Sequence, residues 1–221
     1  MMDAKRILHF HEGHAGMKRL LGGKGANLAE MTRAGLAVPP GFTITTDVCR
    51  AYYRNEGQLP ESLFQEIHDA LHVVEQKKSQ LFGDVRHPLL VSVRSGSITS
   101  MPGMMDTILN LGLNDETVLG LSTRTQNPRF AFDCYRRFIQ MFGNVVYNVE
   151  SIHFENLLHQ LKKDNGFVQD RDVTAEAWME LIEQYKKLIK QHTNTLFPQN
   201  VFQQLRLAVE AVFRSWNNQR A

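Results

Sequence analysis

The sequence predicts an α+β protein in which a front part of mixed helices and short strands is followed by a mainly helical part. Strand-like alternation of apolar and polar residues occurs only before about Asn114, and four amphipathic helical stripes follow it. With 221 residues, 43% of them apolar, the chain is long enough to bury a core of one domain or two small ones.

The front part begins with a glycine-rich segment at residues 22–25 that leads into a short predicted helix. Gly35 is well placed to end this helix, because glycine readily takes the left-handed conformation of a C-terminal cap. Two prolines at 39–40 then exclude helix, and Gly41–Thr46 alternates apolar residues with threonines. This alternation predicts a strand.

A longer helix and two further strands complete the front part. Leu89–Arg94 alternates its side chains between two faces and is rich in β-branched residues, which predicts a strand. Ile108–Leu113 is a second, shorter strand candidate. The helix follows Pro60, and its apolar face consists of Leu63, Phe64, Ile67, Leu71 and Val74.

The helical part contains four amphipathic segments. The first opens at Asn127–Pro128, an N-cap residue followed by proline at the first helical position. The second covers residues 154–161 and is followed by an Asn-Gly cap, the third starts after Thr174, and the fourth follows Pro198. All four carry apolar residues at helical spacing, so we expect them to pack around one core.

Composition excludes several function classes. The formal net charge is +2, without the basic stripe that nucleic acid requires, so we expect no nucleic-acid partner. We expect no membrane partner either, because no apolar run reaches the roughly 18 residues of a membrane span and the N-terminus lacks the apolar core of a signal peptide. Cys49 and Cys134 have no metal-ligand spacing and fit reduced thiols of a cytoplasmic protein.

The first candidate site is the segment Leu21–Asn27, which contains Gly22, Gly23 and Lys24. Glycines let backbone N–H groups approach an anion, and the start of the following helix adds its positive dipole end. Lys24 supplies a mobile charge for phosphate oxygens. The segment matches neither the Walker A loop nor the dinucleotide fingerprint, and taken alone it fits a plain turn with a solvated lysine more simply.

The second candidate site starts where the predicted strand ends at Arg94 and continues through a loop rich in Ser, Thr and Gly. Ligands of α/β sheets gather at the carboxyl ends of strands, where an arginine fork suits phosphate. Three methionines around Pro102 suggest an apolar flap over a flat ligand such as a base. A solvent loop with its methionines in the core explains the segment equally well.

The histidines and acidic residues of the sequence predict no metal site. His9, His11 and His14 lack neighbouring carboxylates or cysteines at metal-ligand spacing, so an exposed strand edge explains them better. The pair Asp115–Glu116 is better explained as stabilising the first turn of a helix than as an acid/base pair.

Taken together, these segments resemble a known family. LLGGKGANLAEMTRAGLAVPPGFTITT (Leu20–Thr46), LLVSVRSG and SMPGMMDTILNLGLND (within Leu89–Asp115) and NPRFAFDCYRRFIQMFG (Asn127–Gly143) are similar to the N-terminal part of the pyruvate, phosphate dikinases. The closing Val212–Ala221 is similar too, so the blocks run in order over nearly the whole chain. SMPGMMDTILNLGLND distinguishes the dikinases from phosphoenolpyruvate synthase, which shares only the shorter features and remains an alternative.

The resemblance implies the front part of an ATP-grasp nucleotide-binding region, with a small mixed sheet and an inserted, mainly helical subdomain. The expected division is residues 1–113 with 200–221 for the α/β N-terminal subdomain of the ATP-grasp and 114–199 for the helical subdomain. The family converts ATP, phosphate and pyruvate to AMP, pyrophosphate and phosphoenolpyruvate, with Mg²⁺ and a phosphohistidine on a separate domain. The full-length enzymes are expected to be cytoplasmic homodimers.

The resemblance also assigns roles to single residues. Lys24 and Arg94 would contact the phosphates of ATP, and the loop around Gly103 and Thr107 would lie against the nucleotide. Further loop contacts are expected from Gly22, Gly23, Ser95, Met104 and Asp106.

Family members are several times longer than this chain. The Mg²⁺ ligands, the second half of the ATP-grasp, the phosphohistidine domain and the pyruvate-binding barrel are therefore expected outside these 221 residues. We expect no catalytic residue within the chain and no dikinase activity from it alone. A stand-alone, non-catalytic nucleotide-binding or interaction module derived from the dikinase is the alternative.

Overall fold

The computed structural model describes residues 5–96 and 107–215, and it confirms the predicted α+β class. The four strands of the described residues form two separate two-stranded sheets, β1 with β2 and β3 with β4. The strands are β1 (Ile7–His9), β2 (Phe42–Ile44), β3 (Val91–Arg94) and β4 (Thr107–Leu111). The helices are α1 (Lys18–Arg33), α2 (Thr46–Arg54), α3 (Glu61–Lys78), α4 (Thr117–Thr125), α5 (Pro128–Tyr147), α6 (Ser151–Asn165), α7 (Ala175–Thr193) and α8 (Val201–Ser215).

The contacts divide the described chain into two compact units. The first comprises residues 5–79, 94–96 and 212–215, and the second comprises residues 80–93 and 107–211. Strand β4 and all of β3 except Arg94 therefore belong to the same unit as the helices that follow them in the chain. The division expected from the family resemblance, 1–113 with 200–221 and 114–199, stays a prediction about domains.

The first unit is organised around the antiparallel pair of β1 and β2, in which Leu8 lies opposite Thr43. Backbone hydrogen bonds from Thr45 N to the carbonyl of Arg6 and from Phe10 N to the carbonyl of Gly41 extend the ladder at both ends. The apolar face of α1 packs on this pair and buries a small core of Leu8, Leu21, Ala26 and Ala29. Helix α3 buries all five apolar residues that its sequence stripe predicts.

The second unit has its core between α5, α6 and α7. Trp178 and Tyr185 of α7, Phe138 and Phe142 of α5 and Phe154 of α6 are fully buried. The Tyr185 hydroxyl donates a hydrogen bond to the carbonyl of Phe154 at 3.1 Å, so its polar end is satisfied inside the core. These contacts fix the packing of α6 on α7.

The predicted helix ends are confirmed. The Asn127 side chain accepts a hydrogen bond from Phe130 N at 3.0 Å, and Pro128 occupies the first turn of α5. Thr174 caps α7 by accepting from Ala177 N, and Gly166 ends α6 in the left-handed conformation. Both cysteines are free thiols, and burial raises the pKa of Cys49 to about 11, which keeps this thiol protonated at neutral pH.

Three elements are not predicted by the sequence patterns: β1, α2 and α4. The structure therefore places five helices, rather than four, in the described part of the chain after Asn114. Helix α4 escapes prediction because five of its nine residues are Thr, Ser or Gly and its apolar stripe is short. No helix within the described residues is both long and apolar enough to cross a membrane.

A buried cation, Arg136, holds α5 to the segment before α7. Its side chain is 5% exposed, donates hydrogen bonds to Asp133 at 2.9 Å and to Asp170 at 2.8 Å, and lies 4.6 Å from the centre of the Trp178 ring. Burial alone would raise the pKa of Asp170, but the hydrogen bond from Lys162 and the charge of Arg136 outweigh it and lower that pKa.

We expect Arg136→Met to lower the free energy of unfolding by about 3 kcal/mol, because it leaves two carboxylates without their buried cation. Urea denaturation followed by circular dichroism measures this loss. Arg137→Met is the matched control, since Arg137 contacts the same two carboxylates but is 52% exposed. An exposed pair contributes at most about 1 kcal/mol; equal losses in the two variants would contradict the role given to burial.

Candidate functional site

The glycine-rich segment lies inside α1 and interrupts it. Gly22 has φ 69° and ψ 172°, which divides α1 into two helical segments. Only glycine adopts this backbone conformation without strain. The second segment therefore begins at Gly23, and a helix start ordinarily leaves the N–H groups of its first turn without an intrahelical partner. The helix start that the sequence predicts after the glycines is present, and the first segment, from Lys18, precedes it.

Close packing against β2 and α2 holds this helix start in place. A Cβ atom added to Gly25 would lie 2.9 Å from both Cγ2 and Oγ1 of Thr43, so the helix approaches β2 as closely as glycine permits. The Thr46 hydroxyl at the start of α2 donates a hydrogen bond to the carbonyl of Arg19 at 2.6 Å. The contact of Gly25 fixes the segment that carries Lys24, and the hydrogen bond to Arg19 fixes the segment before the break.

The end of β3 lies beside the break in α1. A Cβ atom added to Gly22 would be only 2.9 Å from the carbonyl oxygen of Gly96. Arg94 is exposed. Ser95, which follows it, is only 6% exposed and anchors the backbone between Arg94 and Gly96. The two glycine-containing segments that the sequence singles out therefore meet within the first unit.

Lys24 and Arg94 are close enough to influence each other electrostatically. Burial is the main cause that lowers the pKa of Lys24, and the positive charge of Arg94 lowers it further. Neither side chain forms an ion pair or a side-chain hydrogen bond with a described residue. Two cations thus lie near each other without an ion-pair partner among the described residues, an arrangement that an anion would stabilise.

The remaining predicted site residues fall into three groups. Gly22, Gly23 and Ser95 lie in the first unit with Lys24 and Arg94. Thr107 is the first residue of β4, in the second unit, and is half-buried. Gly103, Met104 and Asp106 lie outside the described residues. The ligand contacts of all these residues stay predictions.

The described residues do not fit a magnesium site. Within residues 5–96 and 107–215, no group of three or more His, Cys, Asp or Glu side chains could hold a metal ion. The histidines near the N-terminus serve other contacts: the rings of His9 and His11 stack with centroids 5.6 Å apart, and His14 accepts a hydrogen bond from Gly16 N. Cations such as Lys24 and Arg94 are not metal ligands.

Two features of the site are missed by the sequence patterns. The first is the position of the break, because the glycine pair does not show which of the two takes the left-handed conformation. The second is the contact of Gly25 with Thr43, which joins residues 18 positions apart in sequence. The paired glycines followed by lysine are the signal that marks the region, and only the packing supplies its geometry.

The fold and the site together define an α+β protein with an open cationic site at a helix start. A family model described as "Pyruvate phosphate dikinase, AMP/ATP-binding domain" matches residues 18–69 and 55–221. The chain belongs to this family.

Curated relatives agree with this assignment. The chain is 51% identical over 219 residues to the pyruvate, phosphate dikinase of Clostridium symbiosum, covering 99% of this chain and 25% of that protein. It is 49% identical to the chloroplastic enzyme of Mesembryanthemum crystallinum, covering 98% and 23%, and 49% identical to pyruvate, phosphate dikinase 2 of Zea mays, covering 99% and 25%. The chain therefore spans about a quarter of the length of these relatives.

Proposed function

We propose that this chain forms the front part of the ATP-binding region of a pyruvate, phosphate dikinase, and that Lys24 and Arg94 hold phosphate oxygens of ATP. The observation that carries the proposal is the pair of cations beside the break in α1, neither of which has an ion-pair partner among the described residues. Bringing two like charges together costs free energy, and a bound polyphosphate offsets this cost.

Each part of the site suits one feature of a nucleotide. The N–H groups that follow Gly22 lie at the N-terminal end of the second helical segment. The positive end of that segment's dipole favours an anion. The Lys24 ammonium acts as a compact charge, while the Arg94 guanidinium can donate two parallel hydrogen bonds to a phosphate. Positioned cations of this kind stabilise the charge of a phosphoryl group in transfer.

The complete reaction requires more than these residues provide. In the longer dikinase, ATP, phosphate and pyruvate would give AMP, pyrophosphate and phosphoenolpyruvate through a phosphohistidine on another domain. Mg²⁺ would be held by carboxylates outside the described residues. A cytoplasmic location and a homodimeric full-length enzyme complete the proposal. For the 221-residue chain by itself we expect no dikinase activity and an ATP dissociation constant of about 1 mM.

The proposal is tested with the 221-residue chain and ³¹P nuclear magnetic resonance of ATP. The wild-type protein should broaden the phosphorus signals, and Lys24→Met and Arg94→Gln should each weaken binding by roughly tenfold to a hundredfold, because each removes a charge-assisted hydrogen bond. The matched controls are Lys163→Met and Arg33→Gln, which change two exposed cations that form no ion pair with a described residue. The controls should bind ATP like the wild type.

Two results would contradict the proposal. One is an absence of broadening in the wild type, and the other is an equal loss in the site variants and the controls. A micromolar affinity that depends on Lys24 would instead favour a stand-alone binding module. Circular dichroism of every variant shows whether a loss of binding reflects a loss of fold.

A further inference from the structure

Two histidines on neighbouring helices of the second unit bring their rings together. His153 lies near the start of α6 and His192 near the end of α7, and their ring centroids are 4.7 Å apart with an angle of 49° between the ring planes. The helices are held in contact by the buried core of Phe154 and Tyr185. The pair therefore sits on a rigid support.

The hydrogen bonding of the pair leaves ring nitrogens available. Nδ1 of His192 lies 3.0 Å from the carbonyl oxygen of Leu188. Because a carbonyl oxygen only accepts hydrogen bonds, Nδ1 carries the proton, and Nε2 keeps its lone pair. Histidines that bind metals typically donate their second nitrogen to a carbonyl in this way. The imidazole ring of His153 forms no hydrogen bond with a described residue.

The separation of the rings matches that of two imidazoles that share one metal ion. With a metal–nitrogen distance of about 2.0 Å, the metal lies roughly 3.2 Å from each ring centre. Two such rings at angles of about 90° to 109° around the metal have centroids about 4.5–5.2 Å apart. The observed 4.7 Å lies inside this range.

We infer that His153 and His192 form a two-ligand binding site for a late first-row divalent cation, with Cu²⁺ bound most tightly. Imidazole suits these metals, and affinity rises along the series to Cu²⁺. Among the described residues no third His, Cys, Asp or Glu completes the set, so water fills the other positions and the ion exchanges readily. A bound ion joins α6 to α7. The site is independent of the proposed nucleotide function.

Titration with Cu²⁺, followed by calorimetry and electron paramagnetic resonance, tests the site. Both His153→Asn and His192→Gln should weaken the tightest Cu²⁺ binding by at least about tenfold, because each removes one of two chelating nitrogens. The spectrum should change from two coordinated nitrogens to one. His159→Gln is the matched control, since His159 is an exposed histidine on α6 outside the pair, and its affinity should stay within about twofold of the wild type.

Thermal unfolding gives a second, independent readout. Cu²⁺ should raise the unfolding midpoint of the wild type and of His159→Gln, since a ligand that binds the folded state stabilises it. It should leave the midpoint of the doubly substituted protein unchanged. Unaltered Cu²⁺ affinity in the double variant, or an equal loss in His159→Gln, would overturn the inference. Circular dichroism without metal checks that the variants are folded.

Discussion

Gly120→Ala is expected to lower the free energy of unfolding of the second unit by about 3 kcal/mol. Gly120 lies in α4, where alanine would ordinarily add about 1 kcal/mol of stability through its higher helix propensity. Here the new Cβ atom would meet the carbonyl oxygen of Val85 and lie 2.8 Å from its carbonyl carbon. Backbone atoms cannot rotate away, so α4 or the Val85 segment must move.

Two companion variants separate the clash from other causes. Ser122→Ala changes a half-buried residue of the same helix and should alter stability by less than about 0.5 kcal/mol. In Gly143→Ala of α5, the added atom would meet the far end of the Phe154 ring at 2.6 Å. This ring is a side chain that can shift, so the loss should be smaller than for Gly120→Ala. Urea denaturation measures all three, and a stabilised Gly120→Ala would contradict the packing described.

Gly22→Ala should destabilise the first unit by roughly 2–3 kcal/mol and abolish the weak binding of ATP. The strain of the Gly22 conformation in a residue with a side chain costs about 1–3 kcal/mol. The added Cβ atom would also press on the carbonyl oxygen of Gly96 at 2.9 Å. Relief of this contact requires the start of the second helical segment to move away from the end of β3, which separates Lys24 from Arg94.

Gly35→Ala is the control for backbone strain alone. Gly35 has φ 78°, close to that of Gly22, but an added Cβ atom would meet nothing within 4 Å. We expect a loss of about 1 kcal/mol and unchanged broadening of the ATP phosphorus signals. If both variants lose the same stability and both keep ATP binding, the contact between Gly22 and Gly96 has no role in the site.

The helices with long apolar stripes could be predicted from the sequence, because the spacing of apolar residues within one helix can be read from a short stretch of the chain. The buried residues of α3 and α7 agree with the predicted stripes, and the caps Asn127 and Thr174 were identifiable from single residues and their neighbours. By contrast, β1 has only three residues. It is a strand because β2 pairs with it. A pattern within a few residues cannot show that a segment will pair with another one 35 residues away.

The candidate site was predictable as a set of residues but not as an arrangement. Lysine after paired glycines and arginine at a strand end are readable signals, whereas their proximity depends on how α1 and the end of β3 pack. The Gly96 carbonyl beside Gly22 and Thr43 against Gly25 are likewise contacts between distant parts of the chain. Tertiary contacts of this kind have no counterpart in local sequence patterns.

Arg136 differs from Lys24 and Arg94 in how it responds to dissolved ions. Arg136 carries its counter-charges within the fold, so dissolved ions have little to add. Lys24 and Arg94 have none among the described residues, so a dissolved anion can neutralise them. Chloride, sulfate and phosphate would therefore compete with the proposed nucleotide at Lys24 and Arg94, and the choice of buffer would change how much ATP binds.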